Sequence, residues 1–242
     1  MLADGTTDDL QTISDAVPDT EATIPPPLRA FLPPAMPDAA LLLRLLASTH
    51  NVDLQAISDV IRNDIGLVVG LFHRAAFERR LRPTTVLNIG ELVIHAGLSN
   101  LKTLAAEARL HAVNSNDCAG RICERFWMRS RSAARLAEEL AEDTELREPA
   151  YIAGLLRNAG TLPAVLGWRA PGIGVGSAGE IGYQLAKVWQ LPIVIAEVIR
   201  GDERACTSQK AVSLLRLANL ADQRVAEWES ARVGTFSIVK WS

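Results

Sequence analysis

The chain has 242 residues, 48% of them hydrophobic and 22% charged, enough for one large domain or two small ones with a substantial core. Aromatic residues are only 5%, so that core must be built from Leu, Ile, Val and Ala, and the scarcity of alternating β-branched runs favours packed helices over sheets. A net charge of −3 argues against whole-protein attraction to nucleic acid or anionic membranes.

Residues 1–24 form an acidic leader with Asp4, Asp8, Asp9, Asp15, Asp19 and Glu21 and no base before Arg29, the pattern of a flexible arm or linker. Pro25, Pro26, Pro27, Pro33, Pro34 and Pro37 then mark an extended approach to the fold. Asp38, Asp53 and Asp64 each precede apolar residues at helical spacing and can cap three successive helices. Thr84 or Thr85 opens the next helix, Gly97 ends it, and Ser99 can cap the one after. Beyond a polar break at Asn114–Asp117, a long helix is expected over about 119–142, and Pro149 suits the first turn of another. Residues 167–179 read as a Gly-rich loop, followed by helices over 180–190, 193–200 and 208–229. The tail, Thr235 to Trp241, can add a short strand or pack its aromatic rings. The expected fold is all-α, with about ten helices and no convincing sheet or internal repeat.

The leader has acids where a signal peptide needs a basic region and an apolar run, and no stretch of about 18 apolar residues occurs, so no membrane span is expected and the cytoplasm is the expected compartment. The three cysteines, Cys118, Cys123 and Cys206, form no CxxC pair and read as free thiols, with no disulfide framework and no zinc site. His50, His73, His95 and His111 fit no ligand spacing and read as structural residues. Gly174-Val175-Gly176-Ser177-Ala178-Gly179 satisfies GxGxxG, but no strand precedes it, so it reads as loop. Arg121, Arg125 and Arg129 share a helix face near Arg131 and Arg135, a row expected to be solvated and paired with Glu124, Glu138 and Glu139. The cluster Arg74, Arg79, Arg80 and Arg82 complements a helix C-terminus.

In order and spacing, the segments from Ala30 to Gln223 resemble the HDOD (HD-related output domain) family. The first half carries Leu32-Pro33-Pro34, Met36-Pro37 and Arg62-Asn63-Asp64, then Ile65 where proline is common, and later Gly97-Leu98 and Leu101. Arg74-Ala75-Ala76-Phe77 departs from the usual Ala-Asn-Ser pattern. In the second half Trp127-Met128-Arg129-Ser130 is similar to a Trp-x-His-Ser element, and Ala153 to Gly160 to Ala-Gly-Leu-Leu-His-Asp-Ile-Gly. Ala178 with Glu180-Ile181-Gly182 stands for His-x-Glu-Val-Gly, ahead of Trp189-Gln190-Leu191-Pro192. Gly201 and Asp202 stand for a His-His pair.

The resemblance implies an N-terminal helical bundle (about 25–115) packed on an HD-phosphohydrolase-like helical core (about 116–230), followed by a tail, 231–242. It also implies a regulatory output role in bacterial signalling, exerted through protein contacts with a signalling partner in trans. HD phosphohydrolases hold divalent metals with His and Asp. Here Arg129, Arg157, Asn158, Ala178, Gly201 and Asp202 stand at those positions, and guanidinium repels a cation where imidazole would bind one. No catalytic residue, metal or cofactor is therefore expected. Two fates of the vacated site stay open: an Arg–carboxylate cluster, with Glu180 or Asp202 pairing Arg129 and Arg157, or an anion or nucleotide site built on those two arginines. DNA binding is the least favoured reading on charge grounds.

Overall fold

The computed structural model describes residues 31–49, 51–77, 87–108, 118–168 and 176–236. Expectations placed on the leader, His50, Arg79, Arg80, Arg82, Thr84, Thr85, His111, the break at Asn114–Asp117, Gly174, Val175 and residues 237–242 fall outside them.

The first helix, α1 (Pro37–Ser48), is capped by Met36 with Pro37 in its first turn, so Asp38 lies inside the turn and is not the cap. Asp53 starts α2 (Leu54–Arg62) as expected, accepting from the Gln55 and Ala56 amides at 2.9 and 3.1 Å. Asp64 starts α3 (Ile65–Phe77), accepting from the Leu67 amide at 2.9 Å. Asn88 caps α4 (Ile89–Glu107) by accepting from Glu91 N–H at 2.9 Å, and Gly97, at φ 71°, breaks that run where the sequence puts a helix end.

The second half opens on α5 (Cys118–Leu140). The following helix, α6 (Thr144–Leu156), begins five residues before Pro149, because Asp143 caps it through Glu145 N–H; Pro149 sits inside the helix and not in its first turn. A 3₁₀ turn (Ala159–Thr161) and the single-turn α7 (Leu162–Val165) follow. Ser177 caps α8 (Ala178–Val188), so the last residues of the GxGxxG string open a helix and do not continue a loop. Then come α9 (Ile193–Arg200), a 3₁₀ turn (Glu203–Ala205) and α10 (Gln209–Phe236), whose last turns take in Thr235 and Phe236, expected in a tail.

Helices α1 to α4 pack on one another, and α5, α6, α8, α9 and α10 pack on one another, which gives the two expected bundles. Among the described residues no β-strand forms. The bundles share one continuous apolar core. Helix α3 is buried through its first nine residues, from Ile65 to His73, as a helix enclosed by both bundles must be.

Polar side chains cross the seam between the bundles. Asp64 accepts from Met36 N–H at 2.9 Å and hydrogen-bonds the Trp127 side chain of α5; burial pushes its carboxyl up to about 6. Arg62 pairs with Glu138 at 2.5 Å and Glu148 at 3.0 Å, and its guanidinium lies 3.8 Å over the Tyr151 ring. Trp189 donates its indole N–H to Phe31 O at 2.7 Å, tying the start of the described chain to the second bundle.

Candidate functional site

The six positions expected to be degenerate metal ligands converge on the C-terminal end of α6. Arg157 follows the last residue of α6, and Asn158 leads into the 3₁₀ turn. Arg129 reaches in from α5, Ala178 opens α8, and Gly201 and Asp202 follow α9. Two glycines let these segments meet. A Cβ on Gly160 would stand 1.7 Å from Ala178 O, so only glycine admits the start of α8. Gly201 ends α9 in the left-handed conformation, φ 77°, against the Arg157 guanidinium.

The centre of the site is Asp222 on α10, a residue the sequence reading did not single out. Its Oδ1 accepts from Arg129 Nε at 3.1 Å, Arg129 Nη2 at 3.0 Å and Asn158 Nδ2 at 2.9 Å. Arg129 also lies 3.6 Å from Glu229, two turns further along α10. Arg157 donates through Nε to Asn219 Oδ1 at 2.6 Å and through Nη1 to Ile199 O at 3.3 Å. Burial holds the Arg157 pKa below its ordinary value, and the charge of Asp222 offsets part of that cost.

The expected carboxylate partners are wrong in detail. Glu180 pairs with Arg200 at 3.1 Å, and Asp202 accepts from the Arg204 amide as the cap of the 3₁₀ turn. Both face away because α10 fills the space in front of the two arginines and supplies its own Asn219 and Asp222. A signal for those two was present. Leu214, Leu217, Ala221 and Val225 trace the apolar face of the last helix, which leaves Asn219 and Asp222, three residues apart, together on its flank.

This donor set does not fit a divalent cation. One Asp222 oxygen already accepts three hydrogen bonds, and a guanidinium beside it repels a second positive charge. The two arginines direct donors to groups of the chain itself, Arg129 through Nε and Nη2 to Asp222 and Arg157 through Nε and Nη1 to Asn219 and Ile199 O. Among the described residues no group of three or more His, Cys, Asp or Glu side chains is placed to hold a metal. Of the histidines described, His73 is buried in α3, where burial lowers its pKa, and His95 is exposed on α4. Cys123 and Cys206 are free thiols. No helix among the described residues is long and apolar enough to cross a membrane. Beside the cluster, between α5 and α10, lies a groove of about 370 Å³ lined by Arg125, Arg129, Ala226, Glu229 and Ser230.

Comparison with solved structures finds the response regulator MmoQ from Methylococcus capsulatus str. Bath at a TM-score of 0.59 and 18% identity, covering 80% of this chain and 86% of that one. A second crystal structure, of a fragment of the same protein, gives a TM-score of 0.55 at 18% identity, covering 80% and 85%. At this identity the likeness shows a shared fold. Comparison with curated proteins finds no match. The family model of the HDOD domain matches residues 33–167, more than half of the chain and all of the first bundle with the start of the second. The chain belongs to the HDOD domain family.

Proposed function

We propose that the chain is a non-catalytic signalling output domain that acts through contacts with other proteins. The observation that carries the first part is the triple engagement of Asp222 Oδ1 by Arg129 and Asn158. Hydrolysis by an HD-type site needs a metal to generate hydroxide and to neutralise phosphoryl oxygens. At three of the positions where the resemblance puts ligands, Arg129, Arg157 and Asn158 supply donors and positive charge, and these bonds join α5, α6 and α10. The side chains that stand in place of metal ligands serve as cross-braces between helices.

The output role is supported by membership of the HDOD family and by the fold shared with MmoQ, a protein described as a response regulator. A signalling partner in trans fits that reading.

The test is an assay of the full chain against bis(p-nitrophenyl) phosphate and cyclic dinucleotides with Mn²⁺ or Mg²⁺ added. The proposal expects no product above the protein-free blank. Turnover that disappears in Asp222→Ala would overturn it, because Asp222 would then be a ligand and not a brace.

A further inference from the structure

The core-facing side of α5 is marked by Trp127, Ala134 and Ala137, all buried. On the opposite side Met128, Arg131, Arg135 and Glu139 follow one another at steps of three, four and four residues. All four are exposed, so they share one ridge. Glu142, also exposed, comes three residues later in the turn that leads into α6. The signs along this ridge are segregated, with both bases first and both acids last.

None of these four charged side chains forms an ion pair among the described residues. The glutamates expected to answer the arginines of α5 do not do so. Glu138 turns to Arg62 across the seam, while Glu124 and Glu139 stay exposed without an ion pair among the described residues. Arg129 lies off the ridge, turned to Asp222 of α10.

Such an order is complementary to itself when reversed. Two copies related by a two-fold axis crossing the ridge midway between Arg135 and Glu139 lay their α5 helices antiparallel. Arg135 of each copy then faces Glu139 of the other. Arg131 lies about 6 Å farther from the axis, at 1.5 Å per residue, and faces the turn that carries Glu142. The axis repeats each contact, so all four charges of both copies are answered. An acidic peptide or a nucleic acid would satisfy the two arginines and be repelled by the two glutamates, and a basic partner would meet the converse. A second copy of the chain satisfies all of them together.

Each such pair is exposed and therefore weak. Met128, 60% exposed on the same ridge, adds apolar contact toward either end of the interface. One helix face with few apolar side chains stands at the small end of specific interfaces, which makes the contact transient and sensitive to salt.

We infer that the exposed ridge of α5 is a two-fold interface through which two copies of this chain pair antiparallel, Arg135 with Glu139 and Arg131 with Glu142. This goes beyond the proposed output role, because the pairing holds whether or not the domain is catalytic and whatever protein it contacts elsewhere.

The test is sedimentation velocity on the full chain over a concentration series, in about 0.1 M and about 1 M salt, where the Debye length is about 10 and about 3 Å. The inference expects a concentration-dependent dimer at the lower salt and association about tenfold weaker or more at the higher. The variant Arg131→Glu with Arg135→Glu, and the variant Glu139→Arg with Glu142→Arg, each sediment as monomers where the wild-type chain dimerises. An equimolar mixture of the two variants recovers the dimer, since every reversed charge on one meets its complement on the other. The chain carrying all four substitutions dimerises by itself for the same reason. A wild-type chain that stays monomeric throughout the low-salt series overturns the inference. So does a dimer that survives either reversal, or a mixture of the two variants that remains monomeric.

Discussion

Arg129 and Asp222, 93 positions apart in sequence, are joined by two hydrogen bonds to a single carboxylate oxygen, at 3.0 and 3.1 Å. The pair fastens the middle of α5 to α10, and Asn158 brings the end of α6 to the same atom. The three side chains thus tie α5, α6 and α10 together at one atom.

The strength of that brace is measurable. The Arg129 and Asp222 side chains are 34% and 24% exposed, so solvent screens part of their attraction. A double-mutant cycle with Arg129→Ala and Asp222→Ala should give a coupling of about 1 kcal/mol by urea denaturation. Asp222→Ala alone should cost more than Arg129→Ala, because it strands two donors, the Arg129 guanidinium and the Asn158 amide, where the other change leaves Asp222 its bond to Asn158. A coupling near zero would mean that α10 is held by its apolar face alone.

Arg62 should matter more. It answers both Glu138 and Glu148 and stacks on Tyr151, so its removal leaves two carboxylates of the second bundle side by side without the cation that reaches them across the seam. The charges of Arg62 and Glu138 act in opposite directions on Glu148. Burial raises its pKa, Arg62 lowers it, and Glu138 raises it again. Arg62→Ala is expected to lose about 2 kcal/mol of stability. Arg62→Lys should recover only part, since an ammonium can approach both carboxylates but cannot lie flat on the Tyr151 ring as the guanidinium does.

Asp64 gives the protein a specific dependence on pH. Its folded pKa, about 6, lies above the ordinary 3.8, so the folded state holds a proton that the unfolded chain releases. The resulting stabilisation is complete below the unfolded value and disappears as pH rises through about 6, a change on the order of 3 kcal/mol. Asp64→Asn cannot ionise and keeps an acceptor for only one of the Met36 and Leu67 amides, which bond to different carboxylate oxygens, so it is less stable throughout but flat with pH. Denaturation curves from pH 4 to 7.5 should therefore show the wild-type chain losing stability relative to this variant as pH rises. Parallel curves would place the Asp64 titration elsewhere.

What could be read from the sequence was local. Asp53 and Asp64 cap their helices because a carboxylate just ahead of an apolar run can accept from the free amide three residues on, and that information lies within one turn. Ser177 lies one position before a helix whose expected start, residue 180, falls two residues late, since Gly176 and Gly179 obscure its first turn. Pro149 misled for a related reason. It suits a first turn, but Asp143 offered the stronger cap, and the helix absorbs one missing amide at the Glu145 carbonyl.

The site was legible in its substitutions and not in its partners. That Arg129, Arg157 and Asn158 cannot act as imidazole or carboxylate follows from side-chain chemistry alone. Which carboxylate answers them depends on how α10 crosses α5 and α6, a relation spanning 64 to 93 residues. Glu180 and Asp202, nearer in the motif, were the natural expectation, but Arg200 and the Arg204 amide already engage them. The apolar period of the last helix would have pointed to Asn219 and Asp222, had the flank of that helix been weighed along with its face.

The most direct test of the central claim is the divalent-metal content of the full chain, purified without chelator and measured by elemental mass spectrometry. With Asp222 Oδ1 consumed by three donors and Arg129 beside it, the account predicts a metal-to-chain ratio near zero, unchanged after dialysis against Mn²⁺ and buffer. A ratio near one or two that falls in Asp222→Ala would contradict it and identify the cluster as a metal centre.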